Sequence, residues 1–242
     1  QYSSIVIFAI LILSVLAGAV SVVVFQLDQP RRVKLITAFT GAYLMALTCL
    51  HLIPEVFHSH GNFNPTVLGG FILGGFLLQV VLDNFSGGIE HGHAHHTAGS
   101  IPFAMMAGLC VHAFLEAMPL HVEHGHSQLL VAIAVHKFPV AIVLLGMLLK
   151  SGQTRGKSFA LLAVFGVMAP IGAAFGTIPA ISRQAPYLLA LVIGIFMHVS
   201  TTILFESGED HHYNRRKALA IALGAGIAVA GVLLATPHHH HH

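Results

Sequence analysis

Two neighbouring stretches decide the fold: residues 103–120 read FAMMAGLCVHAFLEAMPL, and residues 128–149 read QLLVAIAVHKFPVAIVLLGMLL. Each is close to the ~20 apolar residues that an α-helix needs to cross a bilayer. Each nevertheless carries two ionisable groups well inside the apolar run, His112 with Glu116 and His136 with Lys137. Charged groups near a bilayer centre are costly, so we interpret these four residues as the functional centre of the protein.

The rest of the chain has the same membrane character. Of the 242 residues, 55% are hydrophobic and only 8% are charged, and the mean hydropathy is +0.81. The sequence therefore predicts an all-α polytopic membrane protein rather than a soluble domain. Eight transmembrane helices are predicted, approximately over residues 4–27, 33–57, 65–82, 101–120, 128–149, 158–181, 186–205 and 218–236.

The two ends of the chain need separate interpretation. The first apolar segment has no basic region before it and is long enough to span a membrane, so it predicts a helix rather than a cleavable signal peptide. Residues 238–242 are all histidine and are interpreted as the remnant of an affinity tag. Residues 1–237 then form a single transmembrane domain, and the last five histidines take no part in any metal argument.

Lysine and arginine cluster at alternate loops, which predicts the orientation of the chain. They flank the first, fifth and seventh loops, at Arg31, Arg32, Lys34, Lys150, Arg155, Lys157, Arg215, Arg216 and Lys217, whereas the even loops hold only Arg183. Loops rich in lysine and arginine stay in the cytoplasm. With eight helices, this distribution predicts that both termini lie outside.

The fourth and fifth segments predict a metal site. His112 and Glu116 are one turn apart on one helix face, and His136 lies at a similar depth in the next, antiparallel helix. Two imidazoles and a carboxylate suit a divalent ion that tends to tetrahedral coordination, such as Zn²⁺. The alternative is that both histidines are hydrogen-bonded packing residues, which would leave Glu116 with Lys137 as its only counterion.

Polar groups on either side of this centre predict a route for an ion. His51 and Glu55 share a face near the outer end of the second segment, although a solvated polar cap is an equally good interpretation of them. On the cytoplasmic side the candidates are Glu206, Asp210 and His211, together with a His-rich loop over residues 83–100 that contains His91, His93, His95 and His96. Ordinary solvated loops are the alternative for both groups.

Several functions have no support in the sequence. There is no GxxxxGK[ST] phosphate loop, no GxGxxG motif and no basic aromatic patch, so neither nucleotide hydrolysis nor nucleic-acid binding is expected. An intramembrane metalloenzyme could use the same His and Glu residues, but no HExxH pair is present, and we expect no enzyme activity and no organic cofactor. A membrane metal sensor that binds an ion without moving it remains the main alternative to a transporter.

At this level of detail the chain resembles the ZIP (Zrt/Irt-like) family of metal-ion transporters. The resemblance rests on motifs that occur in the family's order, from His51-Leu-Ile-Pro-Glu55 through the His-rich loop and His112-xxx-Glu116 to His136-Lys-x-Pro139 and Pro170-Ile-Gly172. It implies a bundle of 3+2+3 helices in which the first and last three are inverted repeats, assembled in some members as a homodimer. It also implies import of Zn²⁺, or of Cd²⁺, Fe²⁺ or Mn²⁺, through a site between helices 4 and 5.

The sequence departs from the family pattern at positions that hold a second metal in many members. Those positions are Ala113, Lys137, Val140 and Ala169 in this chain, and the glycine that commonly follows the helix 4 carboxylate is Ala117. The ammonium of Lys137 would neutralise the carboxylate that otherwise bridges two metal ions. We therefore predict a single transported ion, bound by His112, Glu116 and His136. The compact chain further predicts a bacterial inner-membrane protein.

Overall fold

The computed structural model describes residues 3–58, 63–86, 103–121, 127–206 and 215–235. Within these ranges the protein is helical, and eight helices are long and apolar enough to cross a membrane, which confirms the predicted fold class. They are α1 (Ser4–Phe25), α2 (Pro30–His58), α3 (Pro65–Ser86), α4 (Phe103–Ala117), α5 (Ser127–Lys150), α6 (Arg155–Gly176), α7 (Ala185–Glu206) and α8 (Arg215–Ala235).

Two of the approximate helix ends differ from the structure by four and five residues. The loop expected to begin at Asp83 begins later, because α3 continues to Ser86. The polar groups of its last turns have partners: Asn84 donates to the carbonyl of Val80 on the same helix at 3.0 Å, and Asp83 pairs with His198 of α7 at 3.6 Å. The sixth segment, expected to reach residue 181, ends instead at Gly176, and a separate one-turn helix follows at Pro179–Ser182. Proline fixes the backbone at the first position of this new helix.

The helices pack as two groups. Helix α2 packs along α8, α3 along α7, and α2 against α7, while α1 packs with α5 and α6 and α4 packs with α6. Contacts of α3 with α4 and of α2 with α5 join the two groups. In an inverted repeat of this kind, α1, α2 and α3 correspond to α6, α7 and α8, and α4 corresponds to α5. Under this correspondence the α2–α8 pair matches the α7–α3 pair, and the α1–α5 pair matches the α6–α4 pair. These two relations are those of a 3+2+3 inverted repeat, whereas the extensive contact of α3 with α4 is not matched between α8 and α5.

Glycines bring the backbones of paired helices into direct contact. A Cβ atom on Gly172 or Gly176 of α6 would overlap the carbonyl oxygens of Phe114 and Met118, which lie on α4 and in the 3₁₀ turn after it. On the other side, a Cβ on Gly75 of α3 would overlap the carbonyl of Leu191 on α7. Close approach through small residues is a usual source of helix association in membranes. It holds α4 against α6 and α3 against α7.

Helix α2 changes its winding just before Pro54. Residues Thr48–Leu52 form a π-helix, and the N–H of Ile53 donates to the carbonyl of Thr48, five residues earlier. A proline ring inside a helix clashes with the carbonyl four residues before it and removes one hydrogen bond. The wider turn accommodates that clash, and it contains His51, one turn before Glu55.

One ion pair places the first loop beside the end of α5. Lys150, the last residue of α5, pairs with Asp28 between α1 and α2 at 2.5 Å. Asp28 lies in the first loop and Lys150 borders the fifth, so the structure brings these two odd loops to one face of the bundle. That this face is cytoplasmic, with both termini outside, stays a prediction from the positive-inside rule.

Candidate metal centre

Helix α4 contributes the first two groups of the centre. His112 and Glu116 are four residues apart, and the Nε2 atom of His112 lies 3.4 Å from Oε2 of Glu116. The helical repeat of 3.6 residues puts both side chains on one face, as the sequence predicts. Neither is more than 1% exposed. A buried carboxylate of this kind needs compensating charge or hydrogen bonds.

Helix α5 contributes the other two groups. The ring of His136 lies 5.6 Å from that of His112, measured between centroids. The ammonium of Lys137 lies 2.7 Å from Oε1 of Glu116 and 4.6 Å from the centroid of the Phe165 ring on α6. Each oxygen of Glu116 therefore has its own neighbour, with Lys137 beside Oε1 and His112 beside Oε2.

These side chains have the composition of a zinc site. One ligand atom from each of His112, Glu116 and His136 lies within 4.8 Å of the others, and all three residues are buried. Neutral imidazole nitrogens and a carboxylate oxygen are ligands that zinc accepts, at ~2.0–2.2 Å. Within the described ranges this is the one group of three or more His, Cys, Asp and Glu residues close enough to hold a metal ion. The geometry brings together the three residues that the sequence predicts as ligands.

The surroundings supply no further carboxylate or amide at the positions where many ZIP members have second-metal ligands. Ala113, Val140 and Ala169 are all buried apolar side chains. The remaining charge at the centre is the ammonium of Lys137, which already lies against one oxygen of Glu116. A second dication beside that oxygen would have to displace a fixed positive charge.

Gln79 of α3 is a member of the centre that the sequence interpretation missed. Its Oε1 lies 2.9 Å from Nδ1 of His112, and its side chain is completely buried. The sequence does contain one indication of its role, because Gln79 is a lone amide among the apolar residues of the third segment. Its register relative to His112 could be known only from the packing of α3 against α4.

The predicted outer group is also brought together by the structure. Nε2 of His51 lies 3.4 Å from Oε2 of Glu55, and both side chains are about a quarter exposed, at 26% and 23%. The exposed His58 instead has its Nδ1 atom 2.7 Å from the carbonyl oxygen of Pro54 on its own helix. His51 and Glu55 thus form a pair at one end of α2.

The predicted cytoplasmic group is only partly described. Glu206 is the last residue of α7. Asp210, His211 and the four histidines of the His-rich tract, His91, His93, His95 and His96, lie outside the described residues. The structure adds the contact between Asp83 and His198 on this side of the centre.

Sulphur atoms can also bind zinc, but those near the spanning helices' polar groups lie outside the buried group of three ligands. Sγ of Cys49 and Sδ of Met45 are 3.9 Å apart on α2, and Oγ of Ser200 on α7 lies 3.9 Å from the same Met45 sulphur. Both Cys49 and Cys110 are free thiols, with Cys49 exposed and Cys110 half-buried. Neither thiol belongs to the buried group of three ligands.

Comparison with known proteins gives one family. The family model described as ZIP Zinc transporter matches residues 90–233, which is more than half of the chain. The chain is 27% identical over 179 residues to zinc transporter ZIP9 of Xenopus tropicalis, covering 65% of this chain and 58% of that relative. It is 27% identical to ZIP9-B of Xenopus laevis over 66% of this chain and 58% of the relative. Against ZIP9 of Micropogonias undulatus, identity is 26%, over 76% of this chain and 68% of the relative.

Proposed function

The chain belongs to the ZIP zinc transporter family, and on that premise we propose that it carries a divalent transition-metal ion into the cytoplasm. Zn²⁺ is the proposed ion, and Cd²⁺, Fe²⁺ and Mn²⁺ are candidates to be tested against it. The chain spans about 58% of the length of the frog relatives that it matches, so the activity of those whole proteins is a proposal for this chain.

The observation that carries the proposal is the buried group of His112, Glu116 and His136. Three ligands of zinc-preferring type meet between α4 and α5, deep in a mostly apolar bundle. Ionisable residues inside a membrane protein commonly mark the path of an ion. The imidazoles must be neutral to bind a metal, so acidic conditions weaken binding.

The proposed site holds one ion. Lys137 takes the place of a second metal, because its ammonium lies 2.7 Å from Oε1 of Glu116 and leaves Oε2 beside His112. The apolar Ala113, Val140 and Ala169 support the same stoichiometry. With only one carboxylate among the ligands, the site is suited to modest affinity and therefore to release.

The proposed path runs by alternating access along the bundle. It begins at His51 and Glu55, passes the centre between α4 and α5, and ends at Glu206, Asp210, His211 and the His-rich tract. In this proposal both termini face outwards and the lipid bilayer surrounds the bundle. A homodimer and a location in a bacterial inner membrane remain predictions from resemblance and from the compactness of the chain.

Uptake of zinc into proteoliposomes tests the function directly. Purified protein is reconstituted with a zinc-sensitive dye inside the vesicles, and His112→Ala and His136→Ala are compared with the unaltered chain. We expect both substitutions to abolish uptake, because each removes one of three protein ligands. The matched control is His58→Ala, which removes an exposed imidazole from a membrane helix and should leave uptake unchanged.

Two results would contradict the proposal. Full uptake by His112→Ala and His136→Ala would show that the ion takes another route. Saturable zinc binding without net flux by the unaltered chain would instead favour a metal sensor.

A further inference from the structure

Gln79 makes the contact by which α3 reaches the metal centre. Helix α3 is otherwise apolar around this position, and Gln79 is completely buried. Its Oε1 lies 2.9 Å from Nδ1 of His112, on the opposite side of the imidazole from Glu116. In this orientation of the amide its oxygen only accepts hydrogen bonds, so the contact is a hydrogen bond when Nδ1 of His112 carries the proton.

That proton determines which nitrogen of His112 can bind a metal. A neutral imidazole carries one N–H and one lone pair, and with Nδ1 protonated the lone pair is on Nε2. Nε2 is the nitrogen that lies 3.4 Å from Oε2 of Glu116. The hydrogen bond from Nδ1 to Gln79 therefore points the lone pair of His112 towards the carboxylate with which it would share an ion.

We propose that Gln79 is a positioning residue of the metal site: it holds His112 in the tautomer and ring orientation that make Nε2 the ligand. This inference rests on the proposed function, since it assigns a role at the same site. Groups that accept a hydrogen bond from a metal-binding histidine fix its ring and raise its basicity, and their loss commonly lowers metal affinity about 10- to 100-fold.

The hydrogen bond between Gln79 and His112 also connects the two groups of helices. Helix α3 belongs to the group of helices that contains α7, whereas α4 belongs to the group that contains α6. The bond from Gln79 to His112 therefore crosses between the two groups at the ligand itself. Any displacement of α3 relative to α4 would change the orientation of the first metal ligand.

The test compares Gln79→Met with Gln79→Glu in the whole 242-residue chain, using Zn²⁺ as the probe. Methionine keeps the unbranched shape but removes the acceptor, so the zinc dissociation constant should rise about 10- to 100-fold. Glutamate restores an acceptor at the same distance and should bring the constant back towards that of the unaltered chain. Gln128→Met, the same change in the first turn of α5, should leave zinc affinity unchanged.

A spectroscopic measurement separates positioning from a purely structural role. In zinc-bound protein with ¹⁵N-labelled imidazole rings at about pH 8, where free histidine is neutral, His112 is assigned by the signal lost in His112→Gln. Its Nδ1 should carry the proton in the unaltered chain and in Gln79→Glu. In Gln79→Met this single tautomer should be replaced by a mixture. A His112 protonated at Nε2 in the unaltered chain would overturn the proposal without any substitution at Gln79.

The failure of this inference can be distinguished from the failure of the proposed function. If His112→Ala abolishes zinc binding and uptake but Gln79→Met changes neither the dissociation constant nor the tautomer, only the role of Gln79 is wrong. If the unaltered chain neither binds nor transports zinc, the proposed function is wrong.

Discussion

At the scale of single residues, the ion pair between Glu116 and Lys137 has the clearest energetic consequence. Both groups are buried, with 2.7 Å between the ammonium nitrogen and the carboxylate oxygen. Removing one member of such a pair leaves an uncompensated charge in an apolar interior, which costs about 3 to 5 kcal/mol. A bound dication could supply the missing compensation.

Lys137→Met should therefore make the stability of the protein depend more strongly on zinc than that of the unaltered chain. In chelator, the unfolding temperature should fall well below that of the unaltered chain, because Glu116 loses its counterion. In saturating zinc most of this loss should be recovered, and by linkage the dissociation constant for zinc should fall. Thermal unfolding in detergent, with chelator and with zinc, measures both effects.

Lys150→Met is the matched control for this experiment. Lys150 also pairs with a carboxylate, that of Asp28, but its side chain is 51% exposed. Exposed ion pairs contribute less than about 1 kcal/mol, so the control should change the unfolding temperature little in either condition. An unaltered unfolding temperature of Lys137→Met in chelator would show that Lys137 does not compensate Glu116.

The sequence allowed much of this site to be predicted, but not all of it. His112, Glu116, His136 and Lys137 are visible as ionisable residues inside apolar segments, and helical periodicity relates the first two. Gln79 could not be predicted in this way, because its contact with His112 depends on the rotation and depth of α3 relative to α4. Contacts between helices that are distant in sequence have no local signal.

At the scale of helices, glycines decide how closely neighbours approach. The pairs Gly69-Gly70 and Gly74-Gly75 are visible in the sequence as a small-residue stripe on α3. The structure distinguishes their members: a Cβ on Gly75 would overlap the carbonyl of Leu191, while Gly74 faces open space. The stripe predicts close packing but does not identify which glycine makes it.

Gly75→Ala should weaken the packing of α3 against α7, and Gly74→Ala should not. The added methyl group at Gly75 meets backbone, which cannot move aside like a flexible side chain, so α3 must shift away from α7. We expect a fall in the unfolding temperature for Gly75→Ala alone. A shift of α3 should also disturb Gln79, one turn further along the helix, so zinc affinity should fall as well.

The adjacent substitution Gly74→Ala controls for the change in helix propensity, since both alter glycine to alanine at neighbouring helical positions. Equal unfolding temperatures for the two variants would be incompatible with the close contact at Gly75. The measurement is again thermal unfolding in detergent, followed by zinc titration.

The ends of helices were harder to predict than their presence, and the end of α3 near Asp83 shows the reason. An aspartate followed by an asparagine after an apolar run indicates a loop. In the folded chain Asp83 reaches His198 on α7, and Asn84 donates to the carbonyl of Val80, so both polar side chains are accommodated in a continuing helix. Tertiary contacts of this kind override the local pattern.

At the scale of the whole molecule, the eight spanning helices followed from apolar segment lengths, whereas the way they pair did not. Hydropathy locates each segment along the chain but contains no information about its neighbours. The pairing of α2 with α8 and of α3 with α7 depends on glycine contacts between segments that are far apart in sequence, such as that of Gly224 with the carbonyl of Phe39.

The Glu116–Lys137 ion pair also has an electrical consequence for the proposed transporter. With no metal bound, the two opposite charges cancel, so the centre presents no net charge to the voltage across the membrane. A bound Zn²⁺ adds two positive charges, and the ligand group within the described residues contains no further acidic side chain that could offset them. Moving two elementary charges through 100 mV changes their free energy by about 4.6 kcal/mol.

Zinc uptake should therefore be electrogenic. In proteoliposomes at subsaturating zinc, a potassium diffusion potential that is negative inside should accelerate uptake, and one that is positive inside should slow it. Identical rates under both polarities would mean that another ion moves with zinc and balances its charge. Under the expected result, the resting potential of a cell, negative inside, would itself draw the metal inwards, while the empty centre would return without working against that field.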